Sequence, residues 1–222
     1  LNEIVTTLKR IDADIVALQE VDFQSRRTFD VNQMEYIAKA LAFALPYRAY
    51  VTTWNLRYVP FPYWPIKKHF GSIVSGQCVL SRYPIVDQTV HRFNKPTTNA
   101  FWYNWFYLDR VMQQVRIQMG DQIATVWNVH LEAFDKQSRQ EQALFVAQTV
   151  HDDSSIIKIA LGDFNSSSFV INPSRRQHEQ ETVKLFTEKS GLKNAENSDV
   201  FFTIPSWKPK EKIDHIFIPS DF

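Results

Sequence analysis

The sequence predicts an α/β or α+β domain with mixed β-sheets, because strands and helical segments are interleaved along its 222 residues. Apolar residues recur at helical spacing in three segments, residues 2–11, 32–44 and 136–150. Short apolar runs bounded by turn residues indicate buried strands at residues 14–20, 76–81, 156–161 and 213–218. Strict alternation over residues 111–119, then a turn and residues 122–130, indicates a hairpin.

The helices are predicted from apolar residues that share one face. In the first helix these are Ile4, Val5, Leu8 and Ile11. In the second helix they are Met34, Ile37, Ala38, Leu41 and Ala42. Residues 181–190 form a later helix that ends at Gly191, because glycine readily takes the left-handed conformation after a helix.

Residues 47–70 are rich in aromatic side chains and also contain Pro60, Pro62 and Pro65. Proline at this spacing argues against a helix or a central strand, so we predict a long, stiff loop here. A second aromatic cluster, FWYNWFY, covers residues 101–107. These rings either pack on one another over the core or form a binding surface, and both interpretations stay open.

Hydropathy and cysteine content exclude several features, and the charge distribution suggests a class of substrate. The net charge of +1 indicates no particular partner, and no apolar run approaches the length that spans a bilayer. The single cysteine, Cys78, excludes an intramolecular disulfide and a cysteine-based zinc site. Between residues 46 and 108 the only acid is Asp87, whereas seven residues are lysine or arginine. A basic region near an acidic centre suits a polyanionic substrate.

Polar residues that suit phosphate chemistry lie where four predicted strands end. They are Gln19-Glu20, Asn128-Val129-His130, Asp163-Phe164-Asn165 and Asp214-His215. Each alone is ordinary, because acids and amides are common where a strand meets solvent or a turn. At strand period two Asp163 and Asn165 face the same way. Together, the four strand ends predict one site that holds a metal or a water beside a charged ester.

Five segments resemble, in order, the motifs of the endonuclease/exonuclease/phosphatase superfamily. They are IVALQE at 15–20, CVLSRYPI at 78–85, WNVHLEAF with SRQEQ at 127–142, LGDFNSS at 161–167 and TIPSWKPKEKIDHIFIP at 203–219. The GDFN and N-x-HL matches are the specific ones, and LSRYPI alone would be weak. The resemblance implies a four-layer α/β sandwich in which two packed mixed β-sheets are flanked by helices, within a single domain spanning 1–222.

The resemblance also implies a role for each site residue. Glu20 would bind the metal, for which Mg²⁺ is expected and Mn²⁺ is the alternative. Asp163 would orient or deprotonate the attacking water, and Asn165 would donate its amide to a phosphoryl oxygen. His130 would bind the phosphate or protonate the leaving group. Asp214 would orient a histidine.

Two parts of the family pattern have no match in this sequence. The family begins with an asparagine-bearing strand before the first helix, and it ends with a Ser-Asp-His segment that supplies the catalytic histidine. We expect both to be missing from residues 1–222, which would impair catalysis by these residues alone. His215 does not fill the gap, because it lies at a tyrosine position of the family's IDYIF motif and points away from Asp214 at strand period two. We predict a structural role for His215.

The predicted function is metal-dependent hydrolysis of a phosphoester, a phosphodiester first of all, with a nuclease narrowly preferred. Aromatic rings among Arg57, Lys67 and Lys68 can stack bases and hold backbone phosphates. Tryptophan and tyrosine with lysine equally suit a lipid headgroup region, so a lipid-directed phosphodiesterase or phosphatase is the alternative. A third hypothesis is a non-catalytic binding module, against which the five intact site residues argue. We expect a monomer, and the sequence predicts no compartment.

Overall fold

The computed structural model of the chain describes residues 1–167, 180–195 and 201–221. Helices and strands follow one another in the predicted order, with four additional elements, β2, β4, α3 and β8. In chain order the elements are α1 (Asn2–Ile11), β1 (Ile15–Asp22), α2 (Gln33–Ala40), β2 (Tyr47–Val59), β3 (Gly71–Ser81), β4 (Ile85–Arg92), α3 (Phe101–Asn104), β5 (Val111–Met119), β6 (Gln122–His130), α4 (Lys136–Asp152), β7 (Ile157–Asp163), α5 (Gln180–Ser190), β8 (Leu192–Asn194) and β9 (Asp214–Pro219).

The strands form two sheets, which confirms the predicted fold class. The smaller sheet has the order β1-β3-β2 and is antiparallel throughout. The larger sheet has the order β4-β5-β6-β7-β9-β8 and is mixed, because β6 and β7 run parallel. Two parallel neighbouring strands need a crossover connection. Helix α4, which lies between β6 and β7 in the chain, makes this connection.

Three apolar clusters hold the four layers together. The first joins α1 and α2 to the smaller sheet through Val5, Val16, Ile37, Ala38, Leu41, Leu45 and Leu80. The second fills the space between the sheets with Val79, Val115, Ile117, Ala124 and Val126. The third joins α4 and α5 to the larger sheet, and its fully buried members include Trp127, Val129, Ala147, Phe164, Phe186 and Phe217. The layer order is therefore helix, sheet, sheet, helix.

The helix ends follow local chemistry. The side chain of Asn32 accepts a hydrogen bond from the backbone N–H of Glu35 at 2.9 Å, which caps α2. Asp135 caps α4 in the same way through the N–H of Ser138 at 2.7 Å. Helix α2 ends at Ala40, earlier than predicted. Beyond that point Leu41 leaves the helical conformation, and the turn that follows places Leu45 in the same buried cluster.

The prediction of a loop across residues 47–70 is wrong for its first half. Residues Tyr47–Val59 form β2, a strand of 13 residues that pairs with β3 and has two register shifts. All three prolines follow Val59. They therefore argue against a strand only in residues 60–70. Strand β4 was also not predicted, because its exposed edge position gives no clear alternation. Within the described ranges, no helix is long and apolar enough to cross a membrane.

Candidate active site

Strand register brings three of the predicted site residues side by side. His130 on β6 is the register partner of Asp163 on β7, and Asp163 is the register partner of Asp214 on β9. His130 Nε2 lies 3.6 Å from Asp163 Oδ2. Gly162 permits this approach, because a Cβ there would lie 2.1 Å from the Val129 carbonyl oxygen. Its φ of +133° is also strained for any residue with a side chain.

Glu20 reaches the site from the other sheet through a bulge. The register of β1 against β3 shifts between Leu18 and Val21, so β1 carries one extra residue. Glu20 sits in this bulge in the left-handed conformation, with φ of 54°. Such a conformation is costly for a glutamate, so its presence at a strand end points to a functional constraint. Opposite the bulge, Gly76 leaves room for the Val51 carbonyl, which would lie 1.9 Å from a Cβ.

Asn165 follows β7 in a second left-handed position, with φ of 46°. Its backbone N–H donates to Asp163 Oδ1 at 2.8 Å, and its side-chain Nδ2 donates to the Leu131 carbonyl at 2.9 Å. These two bonds fix the Asp163 carboxylate and the chain just after His130. Because a carboxamide has two N–H donors and a carbonyl acceptor, Asn165 keeps hydrogen-bonding capacity toward the cleft.

Four of the five predicted residues line one cleft of about 550 Å³. They are Glu20, His130, Asp163 and Asn165, and two arginines join them, Arg27 and Arg110. The cleft walls are mainly apolar and aromatic, with Trp54, Val59, Pro60, Phe61, Tyr63, Phe70, Trp102, Tyr103, Phe106, Tyr107, Phe134, Ile204 and Ile213 among the lining residues. Asp214 instead lines a neighbouring cavity of about 410 Å³, together with Gly162 and His215.

Asp163 and Asp214 both have raised pKa values. The pKa of Asp163 is raised to about 7, mainly by burial and also by the charges of Asp214 and Glu20, against the opposing effects of the Asn165 N–H and Arg110. Burial also raises the pKa of Asp214, which a hydrogen bond with Thr203 partly offsets. Carboxylates arranged in this way favour a bound cation or a shared proton.

A buried guanidinium that the sequence analysis missed holds the histidine. Arg110 Nη1 donates to His130 Nε2, and Arg110 Nη2 donates to the Tyr107 hydroxyl at 3.1 Å. Since arginine has only donors, His130 Nε2 must accept and carries no proton in this arrangement. Burial and the Arg110 charge hold the pKa of His130 well below its ordinary value, so the ring is neutral.

Arg110 is anchored by a buried acid that was also missed. Glu132 Oε2 lies 3.6 Å from Arg110 Nε, and the Tyr107 hydroxyl donates to Glu132 Oε1 at 2.7 Å. Arg110 and Glu132 are 4% and 1% exposed, so this is a fully buried ion pair. Their sequence signal was slight: Glu132 lies two residues after His130 in HLEAF, and Arg110 immediately precedes β5.

His215 has the surroundings of a structural residue. It is buried, its Nε2 donates to the Ser166 carbonyl at 2.8 Å, and its Nδ1 accepts from Asn194 Nδ2 at 3.2 Å. Its ring stacks on Phe217 with the centroids 5.6 Å apart. Both ring nitrogens are therefore engaged within the fold.

The donor chemistry of the site fits a hard divalent cation. Glu20 and Asp163 present carboxylate oxygens to one cleft, and Asp214 adds negative charge behind them. Among the described residues, no group of three histidine, cysteine or acidic side chains forms a closed metal cage. Hard divalent cations can be held by one or two carboxylates together with waters and substrate phosphate, so a closed protein cage is not required.

The sequence matches the endonuclease/exonuclease/phosphatase family over residues 1–222, and the chain therefore belongs to this family. Its members are generally phosphoesterases and typically use divalent metal ions. No curated protein matches the sequence significantly.

Solved structures share the fold. An endonuclease/exonuclease/phosphatase from Beutenbergia cavernae DSM 12333 aligns with a TM-score of 0.67 and 18% identity, over 98% of this chain and 58% of that one. The chain thus spans under two thirds of that protein. Sphingomyelinase C from Streptomyces griseocarneus gives 0.63 and 16%, over 99% and 75% of the two chains. Mannosyl-6-phosphatase Bt3783 from Bacteroides thetaiotaomicron VPI-5482 gives 0.60 and 19%, over 98% and 75%. At these identities the likeness establishes the fold alone.

Proposed function

We propose that this family member hydrolyses a phosphodiester bond with the help of a divalent metal ion, Mg²⁺ first and Mn²⁺ as the alternative. The observation that carries the proposal is the convergence of Glu20, His130, Asp163 and Asn165 on one cleft from three separate strands. Two of these residues, Glu20 and Asn165, have costly left-handed backbones. A fold that needed only stability would not require such conformations at this edge.

Glu20 would hold the metal, since its carboxylate projects into the cleft from the bulge. A bound divalent ion neutralises charge on the phosphoryl and leaving oxygens. Asp163 acts on the attacking water, because its Oδ1 is fixed by the Asn165 N–H while its other oxygen stays 3.6 Å from His130 Nε2. A carboxyl with pKa about 7 is well matched to accept a proton near neutral pH.

Asn165 and the Arg110–His130 pair form the anion-binding side of the site. Asn165 donates its remaining amide hydrogen to a phosphoryl oxygen, a preorganised contact to developing charge. The Arg110 donor occupies His130 Nε2, so that nitrogen has no proton to give a leaving group, and Nδ1–H is the ring's only donor toward an anion. Asp214 stands behind Asp163 and keeps its electrostatic environment acidic.

The test is hydrolysis of bis(p-nitrophenyl) phosphate by the full-length protein with Mg²⁺. We expect Glu20→Gln and Asp163→Asn each to lower kcat/KM by about a thousandfold, since each removes a group acting on the reacting atoms. Asp87→Asn is the matched control, because Asp87 is an exposed acid on edge strand β4. If either site variant keeps most of the activity, or if a chelator has no effect, the proposal fails.

A further inference from the structure

Large apolar side chains surround the mouth of the cleft without lining it. The rim, as we name this set, consists of Trp64, Ile66, Phe101, Trp105 and Trp207, which are 78%, 62%, 71%, 65% and 85% exposed. They lie within a few residues of cleft-lining positions in the same loops, which are Phe61, Tyr63, Trp102, Tyr103 and Ile204. Three loops therefore present tryptophan to solvent around one opening. Exposed apolar surface on this scale marks an interaction site.

The loops that carry the rim are tied down beneath it. Trp54 Nε1 on β2 donates to the Phe106 carbonyl at 2.9 Å. This bond joins the base of the loop that follows β2 to the aromatic segment at residues 101–107. Lys95 Nζ donates to the carbonyls of Asn104 and Tyr107 at 2.8 and 2.6 Å. The bases of two of the three segments are therefore ordered, and the tryptophans that these segments carry, Trp64 and Trp105, remain exposed to solvent.

Basic residues accompany the rim. Lys67 and Lys68 follow Ile66 directly, and Lys208 and Lys210 follow Trp207. None of these four side chains makes an ion pair within the described part of the chain. No acid occurs between residues 54 and 86 or between 101 and 108. The surface around the cleft mouth therefore offers free positive charge beside apolar rings.

The position of the charges favours a membrane over a nucleic acid as the partner of the rim. A strand of nucleic acid running into the cleft needs cations along its path to hold successive phosphates. Inside the cleft, Arg27 is committed to Asp22 through two hydrogen bonds of 2.9 Å, and Arg110 is committed to Glu132 and His130. The free cations are outside, next to exposed tryptophans. Tryptophan at headgroup level with lysine facing anionic lipid is the usual composition of a membrane-contacting surface.

We propose that the rim docks on a phospholipid bilayer containing anionic lipid, and that the cleft takes its phosphodiester from that surface. The second part rests on the hydrolase function proposed above. The shape agrees, because the apolar cleft walls can receive the carbon chains next to a headgroup while Glu20 and Asp163 meet the phosphate at the cleft floor.

The test is sedimentation of the full-length protein with vesicles of phosphatidylcholine containing phosphatidylserine. We expect the wild-type protein to partition onto these vesicles. Trp64→Ser/Trp105→Ser should lower the partition coefficient by about tenfold, equivalent to roughly 1.4 kcal/mol of interfacial contact. Lys67→Glu/Lys68→Glu should lower it by a similar factor on anionic vesicles and far less on phosphatidylcholine alone.

The matched control is Phe43→Ser. Phe43 is fully exposed, but it precedes the start of β2, whereas the cleft is lined by the second half of that strand, from Trp54 onward, about 23 Å along it. This variant should bind vesicles as the wild-type protein does, and so should Glu20→Gln. Far-ultraviolet circular dichroism of each variant checks that the fold is retained.

The docking proposal is overturned if the wild-type protein fails to partition, or if Phe43→Ser loses as much binding as the tryptophan pair. It is also overturned if single-stranded oligonucleotide displaces the protein from vesicles and the rim variants weaken oligonucleotide binding equally, because the rim would then be a nucleic-acid surface. Hydrolysis of bis(p-nitrophenyl) phosphate is measured separately. Its absence contradicts the hydrolase function without affecting the docking, and its presence without vesicle binding contradicts the docking alone.

Discussion

The floor of the cleft and its rim are built in opposite ways. The floor residues His130 and Asp163 are held by strand register, and Arg110 and Glu132 behind them are almost fully buried. At the rim, side chains such as Trp64 are mostly exposed, and contacts between rings, such as Phe101 with Trp105, take the place of a packed core. The floor is specified by long-range pairing of strands, and the rim is specified within three loops.

This difference separates chemistry from substrate choice. Moving a floor residue requires a change of register, which would turn whole strands to the other face. Changing a rim residue alters only a loop on a rigid scaffold, where binding specificity is usually found. Family membership therefore establishes more about the floor, whereas the rim has to be interpreted from this chain's own residues.

The strongest test of the floor is removal of the cation from its buried pair. Arg110→Met leaves Glu132 buried without a counter-charge, so we expect the free energy of unfolding to fall by about 3–5 kcal/mol. Urea denaturation monitored by circular dichroism measures the change. An effect below 1 kcal/mol, on the scale of an exposed pair, would show that the pair does not organise the floor.

A double-variant cycle separates the interaction of Arg110 with Glu132 from the cost of leaving one of the two charges buried alone. Arg110→Met/Glu132→Leu should be less destabilised than the sum of its single variants, because neither charge is left alone. The exposed pair of Arg48 and Glu35, whose N–O distance is 3.2 Å, is the matched control and should contribute under 1 kcal/mol.

The raised pKa of Asp163 predicts that the ionised carboxylate on the cleft floor lowers the stability of the folded protein. This pKa rises from 3.8 to about 7 in the folded protein, so the folded form holds its proton more tightly than the unfolded chain. The resulting stability is complete below pH 4 and is lost as the pH rises through 7. In a chelator at pH 8, Asp163→Asn should therefore raise the free energy of unfolding by on the order of 2 kcal/mol.

The gain should shrink as the pH falls toward 4 and vanish below it, because Asp163 then becomes protonated in the unfolded chain as well as in the folded protein. Asparagine still accepts the hydrogen bond from the Asn165 N–H, so the local turn is kept. Melting temperatures measured from pH 4 to pH 8 test this directly. A variant that is destabilised equally across this range would contradict the raised pKa.

The sequence predicted most where the signal is local. The bounds of β5 and β6 follow from alternation and the turn between them, and both agree with the structure. The five site residues were identified from strand ends and family motifs. Arg110 was not, because its contact with His130 arises only from the pairing of β5 with β6, in which Val111 faces His130. Strand register between such segments is not visible in the sequence of either.

The aromatic segment shows the opposite error. Its rings and prolines together predict one loop, but the prolines begin only at Pro60 and Tyr47–Val59 pairs as a strand. The contacts of the half-buried Trp54 with Phe70 and Arg27 also depend on that pairing. Each interpretation of the rings therefore applies to a different part of the segment. Trp54 packs within the fold and fixes the base of the rim, whereas Trp64 is exposed on the rim itself.

Trp54→Phe gives the smallest predicted effect and tests whether the base and the rim are distinct. It removes the 2.9 Å hydrogen bond to the Phe106 carbonyl but keeps an aromatic ring against Phe70, so we expect a loss of about 1 kcal/mol in unfolding free energy. Trp207→Phe, at 85% exposure, should change stability by less than about 0.5 kcal/mol. Urea denaturation of both variants gives the comparison. Equal effects would mean that Trp54 does not hold the loops, and the rim would then lack an ordered base.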